Sequence, residues 1–169
     1  RFRKKIAEQH DYNETLDEPV NLVEFGTRRR LSGVWQHRIV DWLVSNTLIR
    51  GTSNVALARE FNLTPRGTMA HELTMGCQAL FPIQNSQKEA FYLYMEQYGA
   101  KNSILLNDTL GTDKFLRDCN AEMAFGVAGL RHDSGDPFIW GRQMIQMYKE
   151  RGVDSRTKML MFSDGLDIP

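Results

Sequence analysis

Short apolar runs recur along the chain, and each is followed by a polar turn and then by a segment with helical spacing. The runs do not alternate with polar residues, which is typical of parallel strands that are covered on both faces. The predicted strands are residues 21–25, 48–49 leading into 51–54, 64–69, 103–106, 125–130 and 158–162. Repeated strand–turn–helix units of this kind predict an α/β fold with a parallel sheet or barrel.

Helices are predicted between these strands, where apolar residues recur every three or four positions. The predicted helices are one from residue 32, then 55–61, one from residue 71 towards residue 80, then 87–98, one from about residue 112, and 137–151. In the first of them, five apolar side chains share one face, which we expect to pack into the core: Leu31, Trp35, Ile39, Trp42 and Leu43.

Composition narrows the class of protein. The chain has 169 residues, of which 25% are charged and 41% hydrophobic, and its formal net charge is +0. A neutral chain argues against a general role on nucleic acid or at a membrane surface, and no apolar run is long enough to span a bilayer. Cys77 and Cys119 lack the spacing of metal ligands, so we expect free thiols in a reducing, cytoplasmic compartment.

The two ends of the chain suggest a piece of a longer protein. The sequence starts at Arg1 inside a charged stretch and stops at Pro169, just after a strand and an acidic turn. Residues 1–20 are polar, and we expect the tail of a helix and a loop leading in from a missing N-terminal domain. Residues 21–169 are expected to form a partial α/β barrel domain.

The turns after the strands carry side chains suited to phosphates and sugar hydroxyls. Arginine binds phosphate oxygens in a bidentate manner, and carboxylates accept from ribose hydroxyls or hold Mg²⁺. Each turn alone has an ordinary explanation as a solvated face, a cap or a loop, but the joint pattern favours a ligand site. Because the carboxyl ends of parallel strands meet at one end of a sheet, we expect these groups together: Arg28 to Arg30, Ser53, His71, Asp108, Arg131 with Asp133, and Ser163 with Asp164.

One segment, residues 129–137, concentrates this chemistry. It reads GLRHDSGDP, with a cation, an imidazole, a hydroxyl and carboxylates in the polar turn 131–136. Asp136 followed by Pro137 is a good helix start, because Asp caps free N–H groups and Pro needs no N–H at the first helical position. The segment therefore predicts a strand, a polar turn and a helix.

Six motifs in order carry a family resemblance: EFGTRRR at 24–30, GTSN at 51–54, GTMAHE at 67–72, DTLGTD at 108–113, GLRHDSGDP at 129–137 and FSDGLD at 162–167. Together they resemble nicotinate phosphoribosyltransferases of the bacterial and yeast type. The resemblance implies part of an irregular parallel α/β barrel, the type II phosphoribosyltransferase fold. It also implies an ATP-dependent, ligase-type glycosyltransferase of NAD salvage that joins nicotinate to phosphoribosyl pyrophosphate, releasing pyrophosphate. A homodimer or higher oligomer is expected for the full-length protein.

Carried over to this chain, the resemblance places the family's phosphorylated histidine at His71, with ATP and Mg²⁺ as the implied cofactors. Phe25 corresponds to one aromatic face for the pyridine ring. Arg28 is a candidate ligand for the pyrophosphate or for the nicotinate carboxylate. Related enzymes that take the amide have Asp where this chain has Ser53, and a neutral Ser avoids repelling a carboxylate, which favours the acid as substrate.

The later motifs supply the remaining candidate residues. The resemblance makes Asp108 and Asp133 candidates for the ribose hydroxyls or the metal, and Arg131 for a substrate phosphate or carboxylate. Ser163 and Asp164 would lie near the 5′-phosphate end. No protein metal site is certain, since Mg²⁺ would arrive through substrate phosphates.

Two alternatives stay open from the sequence. One is an enzyme of the same fold that takes nicotinamide or quinolinate, and the other is a non-catalytic module that binds phosphoribosyl ligands. The resemblance also implies two parts that are missing here, a second aromatic partner for the ring and a later glycine-rich phosphate loop. We therefore expect the isolated chain to be inactive.

Overall fold

The computed structural model describes residues 2–17, 20–46 and 49–165. The described chain forms two compact units, one ending at Gly67 and the other beginning at Thr68. Part of the predicted strand 48–49, and residues 166 and 167 of the last motif, lie outside the described residues. The division into a lead-in of residues 1–20 and one barrel domain stays a prediction.

The first unit is built from three helices and three short strands. In chain order these are α1 (Phe2–Glu14), β1 (Val23–Glu24), α2 (Gly33–Ser45), β2 (Gly51–Thr52), α3 (Val55–Glu60) and β3 (Thr64–Pro65), with a 3₁₀ turn at Thr27–Arg29. The strands are parallel in the order β1-β2-β3, which confirms the predicted parallel pairing. A helix before the first strand was expected only as a short tail, and it covers Phe2–Glu14.

Helix α2 begins where predicted, because the Ser32 side chain accepts a hydrogen bond from the Trp35 backbone N–H. Its predicted buried face is wrong in part. Leu31 precedes the helix and is 92% exposed, and Trp35 is 54% exposed. The fully buried positions are Gln36, Val40 and Leu43. The buried face of α2 is therefore rotated from the predicted one, because Gln36, held by hydrogen bonds, is buried where an apolar residue was expected.

The second unit has five helices and three parallel strands in the order β4-β5-β6. They are α4 (His71–Leu80), α5 (Ser86–Tyr98), β4 (Ile104–Leu106), α6 (Thr112–Asp118), α7 (Ala121–Gly126), β5 (Gly129–His132), α8 (Pro137–Glu150) and β6 (Met159–Phe162). The predicted start of α8 is confirmed, because the Asp136 carboxylate accepts from the first backbone N–H groups and Pro137 follows it.

The predicted strand 125–130 is wrong in its first half. Phe125 and Gly126 end α7, a helix that the sequence analysis did not predict. Its start is set by Asn120, whose side-chain oxygen accepts from the backbone N–H of Met123 at 2.9 Å. Strand β5 therefore begins at Gly129, so Arg131 is a strand residue and not, as expected, part of the turn.

The core of the second unit covers both faces of β4, whose three residues are all buried, whereas Met159 and Phe162 of β6 are exposed. Leu105 and Leu130 are adjacent across β4 and β5 and are fully buried. Helix α8 packs with Met144 and Tyr148 buried, as its helical spacing predicts. Both cysteines are buried and free, as expected from the sequence, and burial raises the pKa of Cys119 to about 11.

Replacing Gly129 by alanine is expected to destabilise the protein by about 3 kcal/mol, since the new methyl group has no room. A Cβ at Gly129 would overlap the backbone of Met159 on the neighbouring strand and lie 2.7 Å from the Met159 side chain. Urea unfolding followed by circular dichroism measures the change. Gly76→Ala in α4 is the matched control, because a Cβ there meets no atom within 4 Å. Equal midpoints for the two variants would contradict the expectation.

Candidate active site

Polar side chains converge at the carboxyl ends of β4, β5 and β6 in the second unit. Asp108 follows β4, Asp133 follows β5 directly, and Ser163 follows β6 directly. Arg131 lies within β5, one residue before its end. His71 is the first residue of α4, so its backbone N–H is one of the four at the helix N-terminus that have no acceptor within the helix. The expectation that parallel strands bring these residues together is confirmed for Asp108, Arg131, Asp133 and Ser163. His71 reaches them from the start of α4, because the strand predicted at 64–69 covers only Thr64–Pro65 and belongs to the other sheet.

His71 lies between two carboxylates. Its Nε2 atom is 3.2 Å from Asp108 Oδ1 and 3.7 Å from Asp133 Oδ2. The His71 side chain is 39% exposed, whereas Asp108 and Asp133 are 14% and 19% exposed. His71 Nε2 and Asp108 Oδ1 are close enough for an ion pair, but they do not form a hydrogen bond. Asp108 Oδ1 has no hydrogen-bond partner among the described residues. The imidazole is therefore accessible, while the carboxylates behind it are shielded.

Arg131 spreads its guanidinium over several protein groups. Its Nη2 donates to Asp133 Oδ1 at 2.6 Å, and its Nε donates to Ser163 Oγ at 2.8 Å. Its Nη1 donates to Thr68 Oγ1 at 3.0 Å and to the Met69 carbonyl at 3.4 Å. The planar fork of arginine suits such divergent partners. Arg131 thus ties the segment before α4 to the loops after β5 and β6.

Asp133 is the acceptor at the centre of this arrangement. The Ser163 hydroxyl lies 2.7 Å from both Asp133 Oδ1 and the His132 carbonyl, so its one proton serves these two acceptors. Burial raises the pKa of Asp133, but the hydrogen bonds from Ser163 and Arg131, and the electrostatic effects of Arg131 and His71, outweigh it. The pKa of this carboxyl is therefore lower than usual, which keeps it ionised.

The stability that Asp133 contributes should be present at neutral pH and be lost in acid. A carboxyl whose pKa is lowered by folding stabilises above its unfolded pKa, and the effect disappears as the pH falls through the folded pKa. We expect Asp133→Asn to cost about 2 kcal/mol at pH 7, the worth of hydrogen bonds to a charged group. The difference from the wild type should shrink below pH ~4, near the ordinary pKa of Asp.

Urea unfolding at a series of pH values measures this difference. Asp41→Asn, at an exposed position on α2, is the control and should leave the pH dependence unchanged. A wild-type-to-Asp133→Asn difference that stays constant from pH 7 to pH ~2 would exclude the lowered pKa of Asp133 as its cause.

Ser134 is a site residue that the sequence analysis missed. Its hydroxyl donates to Asp108 Oδ2 at 2.6 Å, which leaves the other oxygen of Asp108 towards His71. The only sequence signal was its place in the polar turn, since the two residues are 26 positions apart. The turn itself is closed by His132, whose Nε2 donates to the Gly135 carbonyl at 3.2 Å. The His132 ring is 1% exposed and packs against Trp140.

The remaining predicted residues are placed as follows. Asp164 is exposed in the turn after β6. In the first unit, Phe25 is 39% exposed beside β1, and Arg28 is exposed in the 3₁₀ turn. Ser53 follows β2 directly, and its hydroxyl lies 2.7 Å from the Thr27 hydroxyl, so the turns after β1 and β2 are joined.

The second unit offers oxygen ligands to a hard cation but no complete metal cage. Among the described residues, no group of three or more His, Cys, Asp and Glu side chains is arranged to hold a metal ion. Asp108 Oδ1 is, however, buried and lacks a hydrogen-bond partner in that part of the chain. Mg²⁺ is commonly bound by one or two carboxylates together with substrate phosphates. The Asp108 and Asp133 pair fits that mode of binding.

Membrane crossing has no support in the described part of the chain, where every helix is too short or too polar to span a bilayer.

Parallel strands with Asp, Arg and Ser side chains gathered at their carboxyl ends define an α/β protein with a candidate ligand site at the strand ends. A family model described as the nicotinate phosphoribosyltransferase (NAPRTase) family matches residues 20–169. The chain belongs to this nicotinate phosphoribosyltransferase family. The predicted fold class is confirmed, because its structural neighbours are members of the same family.

Curated relatives agree with this assignment. A nicotinate phosphoribosyltransferase of Vibrio vulnificus is 49% identical over 147 residues, which are 86% of this chain and 34% of that protein. One from Neisseria meningitidis is 47% identical over 156 residues, covering 90% of this chain and 39% of that protein. The chain thus spans little more than a third of the length of these relatives.

Solved structures show the same likeness. The crystal structure of nicotinate phosphoribosyltransferase from Vibrio cholerae matches with a TM-score of 0.91 at 40% identity, covering 98% of this chain and 40% of that one. The structure of a putative nicotinate phosphoribosyltransferase from Saccharomyces cerevisiae matches with a TM-score of 0.80 at 30% identity, covering 99% of this chain and 43% of that one.

Proposed function

We propose that the full-length protein joins nicotinate to phosphoribosyl pyrophosphate, forming nicotinate mononucleotide and pyrophosphate, and that it couples this reaction to ATP hydrolysis through a phosphohistidine at His71. The observation that carries the proposal is the imidazole of His71 beside Asp108 and Asp133, at 3.2 and 3.7 Å, in a chain of this family. We further propose that the enzyme works in the cytoplasm as a homodimer or higher oligomer.

The geometry of His71 suits phosphoryl transfer. Its Nε2 faces the carboxylates, while its Nδ1 makes no hydrogen bond to any described residue. Two carboxylates this close to one side of an imidazole stabilise the positive charge that forms on the ring when its other nitrogen attacks. In the proposed step, Nδ1 forms a bond to the γ-phosphorus of ATP, and the bond to the β–γ bridging oxygen breaks, releasing ADP.

The ribosyl transfer needs charge stabilisation more than a base. The pyridine nitrogen of nicotinate is the nucleophile, the bond from ribose C1 to pyrophosphate breaks, and positive charge develops on the sugar. Asp108 and Asp133 would stabilise that charge and accept from ribose hydroxyls, because fixed charges act strongly in a shielded site. Bound Mg²⁺ would neutralise substrate phosphates, held through the same carboxylates.

The test uses the full-length protein with nicotinate, phosphoribosyl pyrophosphate and Mg²⁺, with and without ATP. We expect nicotinate mononucleotide to form and ATP to increase its yield, as measured by chromatography. Parallel reactions with nicotinamide and with quinolinate test the other bases. Binding of phosphoribosyl pyrophosphate without any product would favour a non-catalytic module. The isolated 169-residue chain is expected to be inactive.

Replacing Ser53 by aspartate should shift the enzyme away from nicotinate. A second carboxylate beside that of the substrate costs several kcal/mol by like-charge repulsion, so we expect the ratio of kcat/KM for nicotinate to that for nicotinamide to fall about a hundredfold. Ser53→Asn, which is neutral and of similar size, is the control and should change the ratio much less. An unchanged ratio in Ser53→Asp would show that this position does not face the substituent of the ring.

A further inference from the structure

A buried polar network lies in the first unit, at the carboxyl ends of β1 and β2. Gln36 of α2 is 3% exposed and Thr52 of β2 is fully buried. Both donate to the Glu24 carboxylate, Thr52 Oγ1 at 2.6 Å and Gln36 Nε2 at 3.2 Å. The Gly26 backbone N–H donates to the same carboxylate at 2.7 Å. Because buried polar groups are costly unless they are hydrogen-bonded, the positions of these side chains are tightly determined.

The start of α3 sets the direction of the hydrogen bonds. Its first backbone N–H groups can only donate, and they bond to the Asn54 side-chain oxygen at 3.1 and 3.2 Å. The Asn54 amide nitrogen must then be the donor to Gln36 Oε1, at 2.9 Å. Gln36 therefore presents its Nε2 as a donor, which the Glu24 carboxylate also requires, and this nitrogen donates to Thr27 Oγ1 at 2.8 Å.

Thr27 fixes the direction of its hydrogen bond to Ser53. Its hydroxyl oxygen accepts from Gln36, and its own proton has one acceptor within the described residues, Ser53 Oγ at 2.7 Å. The Thr27 backbone N–H also donates to Ser53 Oγ, at 3.4 Å. A hydroxyl has two lone pairs and one proton. With both lone pairs of Ser53 accepting from Thr27, its proton is directed away from the network.

We propose that Gln36 and Thr27 are positioning residues that make the Ser53 hydroxyl an obligatory hydrogen-bond donor to the ligand, and so set the preference for a pyridine carboxylate over the amide. A carboxylate only accepts hydrogen bonds, whereas an amide also brings N–H groups that have no acceptor at such a donor. The inference rests on the proposed function, because it takes the ligand to be the pyridine acid. It assigns part of the specificity to Gln36 and Thr27, which orient the Ser53 hydroxyl.

The experiment measures kcat and KM of the full-length protein for nicotinate and for nicotinamide. Thr27→Val keeps the shape of the side chain but removes the hydroxyl, so Ser53 is released from its donor role. We expect the ratio of kcat/KM for nicotinate to that for nicotinamide to fall about tenfold, through a raised KM for nicotinate with kcat nearly unchanged. Thr27→Ser keeps the hydroxyl and should restore the ratio. Gln36→Glu, which replaces the donor by an acceptor, should lower it in the same direction.

Thr64→Val is the matched control, because Thr64 is exposed on β3 and the same chemical change there should leave the ratio as it is. Melting temperatures are measured for every variant, so that a folding defect is seen separately. An unchanged ratio in Thr27→Val, with an active wild type, overturns this inference alone. A wild type that turns over no pyridine base overturns the proposed function, and the inference with it.

Discussion

Replacing His71 by alanine in the full-length protein is expected to abolish phosphate incorporation from ATP and to remove the stimulation of nicotinate turnover by ATP. Without the imidazole, no Nδ1 remains to take the phosphoryl group, and Asp108 and Asp133 have no ring charge to stabilise. Loss of one preorganised group at a reacting centre costs on the order of 10²–10³ in rate, and we expect an effect of that size on the ATP-coupled rate. Incubation with γ-labelled ATP, followed by acid treatment, measures the labile phosphate.

His37→Ala is the matched control for this experiment. His37 also faces a carboxylate, with Nε2 2.7 Å from Glu60 Oε1, and its side chain is 44% exposed, close to the 39% of His71, but it lies on α2 in the first unit. We expect it to leave both labelling and turnover unchanged. Acid-labile phosphate that persists in His71→Ala would assign the modification to another residue.

The second large effect is expected at Arg131. Arg131→Ala removes donors from Asp133, Ser163 and Thr68 at once and leaves a largely buried carboxylate without its partner. Breaking such a pair by removing one member costs about 3 kcal/mol. We expect this loss in urea unfolding, together with a fall of about 10² or more in kcat/KM, since Asp133 would no longer be held beside His71.

Arg131→Lys separates charge from shape. Lysine keeps the positive charge but lacks the planar fork, so it cannot reach Asp133, Ser163 and Thr68 together. We expect it to recover only part of the stability and activity. Arg156→Ala is the control, because Arg156 pairs with Asp154 at 2.8 Å but is 89% exposed. Wild-type stability and activity in Arg131→Lys would mean that a point charge suffices at this position.

The parallel direction of the strands could be predicted from the sequence, because buried parallel strands are short continuous apolar runs. The same rule failed at residues 125–130. There, α7 and β5 follow each other with few polar residues between them, so periodicity could not separate the helix end from the strand. The cap at Asn120 is the signal that could have revealed the helix.

The site could be predicted only as a set of residues at strand ends. That Asp108 and Asp133 meet follows from the parallel pairing of β4 with β5. The place of His71 at the start of α4, and the partners of each side chain, do not follow from it. Ser134 donates to Asp108 across 26 positions of sequence, and no local pattern predicts such a pair. The buried Gln36 likewise interrupts the apolar face of α2. Its hydrogen bonds to residues distant in sequence offset the cost of burying a polar side chain, and helical spacing does not reveal them.

Arg131 also has a mechanical consequence. Its side chain fastens the stretch at Thr68 and Met69, only two residues before His71, to the end of β5 and to Ser163. We therefore expect these three segments to move together as one rigid body. Any hinge motion is expected to lie outside these three segments, and the proposed phosphoryl group at His71 would sit beside a braced set of loops.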